Sequence, residues 1–436
     1  MLQGHVMDRL RDLPDESVHC ICTSPPYYGL RDYGLEPVIW EPVRYAPMTG
    51  VPEMTQPAWR GCLGLEPNPA LYIGHLVQVF REAKRVLRAD GTFWLNLGDS
   101  YASGNRKTRD ADKKLDARGM DMRPADPLGI KPKDLMGIPW RVALALQADG
   151  WWLRSDIVWE KSNAMPESVM DRPTRSHEMI FLFSKSQKYF YDHIAVMEPA
   201  NSQQSAQAGS FRRSASKRAQ CIPGQSAGTH RPDRPATVFA NDVRNRRDVW
   251  TVPTQPFKGA HFAVFPPDLV DPMIRAGTSE KGVCPICGTP WIRVIEREHG
   301  DAPASYNGSS FHTGKTRVAR EPLANVGAGP RTTLLHTAGW QPGCHCDTAG
   351  LGCEAVPAVV LDPFGGSGTV AIAAEALGRD WRLIEANPEY AAMAEARIRE
   401  AREKKAVSKK RRTAGIARGD KESSPRQAQP QLEFFA

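Results

Sequence analysis

Apolar and polar positions recur in one order at both ends of the chain: a short apolar run, a polar break, then apolar residues three and four apart. "SVHCIC" (Ser17–Cys22) reads as a buried strand that stops at "TSPPY", because a continuous apolar run of this length suits a strand covered on both faces. Leu76, Phe80, Ala83 and Leu87 then fall at helical spacing across Leu71–Leu87, and "RADG" turns into a second strand, "TFWLNLGDS", with polar residues at its end. "MGIPWRVALALQADGWWLRSDIVWEK" (Met136–Lys161) repeats helix, turn and strand. "AVPAVVLDPFGGSGTVAIAAEALGRDWRLIEANPEY" (Ala355–Tyr390) gives strand, glycine turn, helix and strand. Such units predict an α/β fold with a mostly parallel sheet and ligands at the carboxyl ends of its strands. Residues 101–130, charged and rich in Gly, predict a mobile loop over that edge.

Composition adds where charge and sulfur sit. A chain of 436 residues can bury one large core with an appended module or two. No apolar run approaches the roughly 18 residues that cross a bilayer, and no leader pattern precedes the first strand, so a cytoplasmic protein without a membrane partner is expected. The formal charge is +8, yet residues 401–421 hold nine Lys/Arg against two Asp/Glu and residues 201–250 hold nine against three. Both segments are also rich in Ser, Gln or Gly, which suits flexible chain that touches phosphates; the alternative is a pair of solvated loops. Nine cysteines make an odd number for a disulfide framework.

Two chemical features stand out. In "DPFGGSGT" (Asp362–Thr369), Gly365, Gly366 and Gly368 let backbone approach a ligand, and Glu385 follows Gly365 by 20 residues at the end of the next strand. An acid there accepts hydrogen bonds from ribose hydroxyls, so a nucleoside cofactor is expected, without a choice between NAD and adenosylmethionine. The second feature is "CPICG" (Cys284, Cys287) with "CHC" (Cys344, Cys346), inside an insertion at 281–355. Four thiolates suit tetrahedral structural zinc, with His345 and Cys353 as substitutes and free buried thiols as the alternative.

"TSPPY" at a strand end, combined with "DPFGGSGT", resembles the DNA amino-methyltransferases, and the catalytic loop preceding the glycine motif is similar to the permuted beta class of phage and bacterial members. The resemblance implies a Rossmann-like adenosylmethionine-dependent methyltransferase fold, circularly permuted, with a target recognition insert beside the zinc-knuckle insert. It implies that Ser24, Pro25, Pro26 and Tyr27 hold a flipped base, and that Asp362, Phe364, Gly365, Gly366, Ser367, Gly368, Thr369 and Glu385 hold S-adenosylmethionine. The chemistry fits the residues: two acceptors, the Ser24 side chain and the Pro25 carbonyl, can aim an amine lone pair at a sulfonium methyl while the aromatic stacks on the base. Tandem prolines fix that geometry. Where many relatives read Gly-Asp before "LPDESV", this chain reads Gly4-His5, leaving Asp8 as the candidate acid for the adenine of the cofactor.

The implied organisation places a catalytic half at 1–186, target recognition at 187–256, a cofactor-closing segment at 257–280, the zinc insert at 281–355, the cofactor half at 356–400 and a basic flexible tail at 401–436. "IVWEKSNAMPESVMDRPTRSHEMIFLFSKS" (Ile157–Ser186) resembles a shared strand pair around the base pocket, and "FRRSASKR" and "RNRRDVW" supply arginines for double-stranded DNA. Ser24 in the first loop position favours cytosine N4 over adenine N6 by resemblance. Cytosine C5 chemistry is set aside, since no cysteine follows a proline; a catalytically silent DNA-binding protein is the alternative of another class. "QLEFF" (Gln431–Phe435) resembles the pentapeptide by which bacterial replication proteins dock on the sliding clamp, the alternative being a tail packed on its own domain.

Overall fold

A computed structural model describes residues 1–102, 130–199, 239–241, 243–255, 265–299, 331–346 and 354–416. Eight strands form its main sheet: β1 (Leu2–Gln3), β2 (Val18–Thr23), β3 (Leu87–Leu97), β4 (Trp152–Glu160), β5 (His177–Ser184), β6 (Val249–Thr251), β7 (Val359–Asp362) and β8 (Asp380–Glu385). Their spatial order is β1-β8-β7-β2-β3-β5-β4-β6. All neighbours run parallel except β3 with β5 and β5 with β4. At the centre, β7 lies beside β2, with Val360 opposite Cys20. From β7 the chain winds outward through α5 (Thr369–Ala376) to β8, and from β2 it winds the other way through α2 (Pro69–Val86) to β3. The winding reverses between those two strands, and in open α/β sheets ligands bind at the carboxyl ends beside such a reversal. β1 completes the edge by pairing with β8, so the two ends of the chain interleave in one sheet. This is a permuted Rossmann-like arrangement.

Alternation along the strands divides the core between two faces. Ile21, Phe93, Leu95, Phe181 and Phe183 pack with α1 (Val6–Arg11), α2 and α3 (Ile138–Ala148) through Leu10, Leu76, Phe80, Val142 and Leu146. Cys20, Cys22, Trp94, Ile180 and Leu182 face α4 (Pro267–Gly277) and α5 through Leu269, Met273 and Val370. β2 is buried at every position, as a central parallel strand must be. Helix α2 starts where Asn68 caps the Leu71 N–H at 2.9 Å and Pro69 opens the first turn. Gly277, ending α4, lies so close to the sheet that a Cβ would sit 2.3 Å from Thr92 Oγ1.

Three expectations change. The "RADG" turn is absorbed into β3 as a bulge, since the register jumps between Val18/Leu87 and Cys20/Thr92. Val249–Thr251, placed in the recognition region, instead pairs with β4 as the outer strand of the main sheet. The tail begins as helix: α6 runs Pro388–Ile416, its Ala, Glu, Lys and Arg residues being strong helix formers, and Arg402 pairs back to Glu375 on α5. Residues 103–129, the whole of the basic 201–250 segment ahead of Phe239, and Gln431–Phe435 lie outside the described residues. Among the described residues, no helix is long and apolar enough to cross a membrane.

The insert starts as a knuckle. Gly288, at φ +70°, donates its N–H to the Cys284 carbonyl at 2.8 Å, and the Cys284 N–H reaches Thr289 O at 2.9 Å. The knuckle docks at the amino ends of β2, β3 and β7. His19 Nε2 donates to Gly288 O at 3.1 Å while its Nδ1 accepts from the Val359 N–H at 3.0 Å, and Arg88 Nη1 donates to Cys287 O at 2.8 Å. Beyond it, Ile292–His299 and Arg331–Gln341 form an antiparallel hairpin, and Phe239–Asn241 adds a parallel third strand.

Candidate active site

The carboxyl ends of β2, β7 and β8 open into a cavity of about 720 Å³. Ser24, Pro25, Pro26 and Tyr27 line it from β2, and Asp362, Phe364, Gly365, Gly366, Ser367 and Thr369 line it from β7, with Glu385 from β8. Residues more than 300 positions apart thus share one space, as the paired motifs require. Gly368 does not line the cavity; at φ +80° it caps α5, and a Cβ there would meet Ala394 Cβ at 3.0 Å.

Backbone demands explain the glycine turn. A Cβ on Gly365 would lie 3.1 Å from Leu383 Cβ and 3.2 Å from Ile384 O, and Gly366 takes φ +49°. Only small residues let the turn fold this tightly over β8. Glu385 holds it, accepting the Gly366 N–H at 2.7 Å and the Asn387 N–H at 2.8 Å. Asp362 ties the halves together: its Oδ1 accepts from Thr23 Oγ1 at 2.6 Å and from the Phe364 N–H at 3.0 Å. Burial pushes the Asp362 carboxyl up to about 7 and raises Glu385 as well, because a carboxylate loses hydration there.

The Ser24–Tyr27 loop is held from behind. Tyr72 Oη donates to the Pro26 carbonyl at 2.8 Å, and Gly29 N–H bonds to Gly64 O at 2.8 Å. Ser24 Oγ lies 3.2 Å from Tyr27 Oη, which also lies 2.8 Å from Glu178 Oε2 and 3.0 Å from Asn96 Oδ1. The Tyr27 ring leaves no room behind it: a Cβ on Gly98 would come within 2.5 Å.

Asp8 does not line the cavity. It stands on the exposed face of α1, 3.9 Å from Arg11, because the helical turn after His5 carries it outward. His5 occupies the wall instead, edge-on to Trp40 with ring centroids 5.0 Å apart, and burial lowers its pKa so that the ring is neutral. Tyr33, Asn387 and Tyr390 also line the cavity and carried no expectation. Asn387 had a signal in "ANPEY": an Asx residue before proline starts a helix, and its Oδ1 accepts the Glu389 N–H at 2.8 Å.

At the opposite end of the sheet, the ligand atoms of Cys284, Cys287, Cys344 and Cys346 all lie within 4.8 Å of one another. A tetrahedral zinc with Zn–S bonds of about 2.3 Å needs sulfurs about 3.8 Å apart, so this cluster fits the metal's donor set. Cys353 lies outside the described residues.

A reversal-point cavity bordered by a glycine turn, a buried acid and a Ser-Pro-Pro-Tyr loop suits a nucleoside-cofactor enzyme of the α/β class. Residues 18–284 and 356–396 match the N6/N4 DNA methylase family, and the chain belongs to it. It is 48% identical over 278 residues to the type II methyltransferase M.XycI of Xanthomonas campestris pv. cyanopsidis, covering 64% of this chain and 72% of that protein. It is 40% identical over 300 residues to the type II methyltransferase M.SmaI of Serratia marcescens, covering 68% and 82%. Among solved structures, a DNA modification methylase of Thermus thermophilus complexed with S-adenosyl-L-methionine aligns over 92% of each chain at 16% identity and a TM-score of 0.41. By its family, the protein is a DNA amino-methyltransferase.

Proposed function

We propose that the enzyme methylates the N4 amino group of cytosine in double-stranded DNA, as a modification methyltransferase of the type II kind for which its relatives are named. The observation that carries this reading is the single cavity shared by the Ser24–Tyr27 loop and the Gly365–Thr369 turn. The residues fit S-adenosylmethionine: Glu385 retains lone pairs for ribose hydroxyls, the Gly365–Gly366 backbone is bare of side chain, and His5, Tyr33, Phe364 and Tyr390 offer ring faces or edges for a purine. Bound there, the cofactor supplies an electrophilic methyl group on a sulfonium. The Ser24 hydroxyl oxygen and the Pro25 carbonyl accept the two amine hydrogens, drawing the nitrogen toward tetrahedral geometry so that its lone pair leaves conjugation with the ring and is aimed at the methyl group. A duplex base reaches that position only by leaving the stack.

Ser24 in place of an acid favours cytosine, by the family resemblance. Digestion of methylated DNA to nucleosides with mass identification tests the reading. N4-methylcytosine is expected; N6-methyladenine would overturn the base assignment, and 5-methylcytosine would overturn the mechanism too.

We also infer that Cys284, Cys287, Cys344 and Cys346 hold one structural zinc, on the strength of their convergence and of the knuckle's hydrogen bonds. Metal analysis of purified protein should give about one zinc per chain, lost in a Cys284→Ser, Cys287→Ser variant.

A further inference from the structure

We propose that Glu178, acting through Tyr27, fixes the Ser24 hydroxyl as a hydrogen-bond acceptor toward the substrate amine. The inference deepens the methyl-transfer reading and rests on it. Glu178 lies near the start of β5 beside Tyr27, and each of its two oxygens is engaged by at least one donor. Oε1 pairs with the Lys161 ammonium, whereas Oε2 accepts from Asn96 Nδ2 at 3.2 Å and lies 2.8 Å from Tyr27 Oη. The Asn96 amide is itself fixed in orientation, because Nδ2 also donates to Met179 O at 3.2 Å, which leaves Oδ1 facing Tyr27 at 3.0 Å.

Direction follows from this inventory. A carboxylate paired with an ammonium only accepts, and so does an amide oxygen. Tyr27 therefore spends its one hydrogen on the Glu178 and Asn96 side. Burial and the Glu178 charge both raise its pKa, so it stays a phenol. Its oxygen has only lone pairs left for Ser24, 3.2 Å away, and the Ser24 hydrogen must point to it. Ser24 then turns its lone pairs to the cavity, where an amine hydrogen needs an acceptor. Had the hydroxyl been free to rotate, it could donate into the cavity and quench the lone pair that must attack. The same polarity disfavours a base that presents a carbonyl oxygen at this position, since two acceptors would meet. Glu178 and Asn96 touch no reacting atom in this scheme; they are positioning residues.

A double-mutant cycle on the full-length enzyme tests the direction. Tyr27→Phe keeps the ring and removes the acceptor for Ser24; Glu178→Gln keeps the shape and removes the fixed polarity. Each should lower kcat about tenfold, the effect of one oriented hydrogen bond, with KM for DNA and the Kd for S-adenosylmethionine changed less than about twofold. The double variant should be no slower than Tyr27→Phe alone, because Glu178 works only through that hydroxyl. Multiplicative losses in the double variant, or an unaltered kcat in Tyr27→Phe, would overturn the proposal. Should Glu178→Gln fold poorly, seen as lost cofactor binding, Asn96→Leu, which removes both the Oδ1 acceptor for Tyr27 and the Nδ2 donor that holds Glu178, gives with Tyr27→Phe a second cycle with the same expected non-additivity. Wild-type enzyme that binds cofactor but leaves DNA amino groups unmethylated would instead overturn the methyl-transfer reading, a result distinct from either outcome of the cycle.

Discussion

The two ends of the central strands are built on opposite principles. At the carboxyl ends, carboxyls are buried at the cost of a raised pKa, as at Asp362. At the amino ends, polar groups join elements with both partners satisfied: His19 bridges Gly288 O and the Val359 N–H, and Arg88 joins Cys287 O to the Asp90 carboxylate. Burial pushes His19 down to about 4, so it joins as a neutral ring. One end keeps unsatisfied capacity for ligands; the other spends its capacity on holding an insert in place. Stability and activity should therefore separate by sheet end.

The sharpest test removes the acceptor at the carboxyl end. Ser24→Ala should cut methyl incorporation by about 10²–10³, the range for losing one group that stabilises a reacting centre, while the melting temperature moves little because the hydroxyl's only described bond is to Tyr27. A comparable loss of melting temperature would break the comparison. The mirror experiment is Cys284→Ser with Cys287→Ser: it should destabilise the insert by several kcal/mol yet change cofactor affinity by less than about threefold, under 1 kcal/mol. Calorimetry and cofactor titration on the same sample read both.

The third test sharpens the contrast through pH. Asp362 has a folded pKa of about 7 against 3.8 for the free group. Between those values the folded state keeps a proton that the unfolded chain has lost. Stability therefore falls as pH rises through that window and is lowest above pH 7. Asp362→Asn retains an oxygen for Thr23 and Phe364 and removes the buried charge, so it should be more stable than wild type at pH 8, by about 2–4 kcal/mol, and near parity at pH 4. A denaturant midpoint that shows the same gain at both pH values would sink this account.

Much of the architecture was readable because strand periodicity and loop chemistry agree. "TSPPY" and "DPFGGSGT" each end an apolar run, and both land on the cavity. The Cys284–Cys287 and Cys344–Cys346 pairs also meet, since a knuckle with glycine at Gly288 declares its own geometry. What stayed hidden was created by packing across distant strands. Glu178 looks like an ordinary polar residue at a strand start until β3 and β5 pair and bring it to Asn96. His19 looks like one more residue in "SVHCIC" until the insert folds back beneath it. Asp8 misled because it is the nearest acid to the expected position, whereas helical geometry decides which side chain faces inward.

The pairing of β1 with β8 and of β7 with β2 has a consequence for the order of events during synthesis. β1 and β2 leave the ribosome first with a gap between them two strands wide, and those two strands are the last part of the sheet to be made. At about 5–20 residues per second, the gap stays open for on the order of half a minute. Throughout that interval Ser24 and Tyr27 exist but the glycine turn does not, so a truncated or still-growing chain has no means of holding its cofactor. The cofactor turn and the Ser24 loop come together only when the last strands slide between the first.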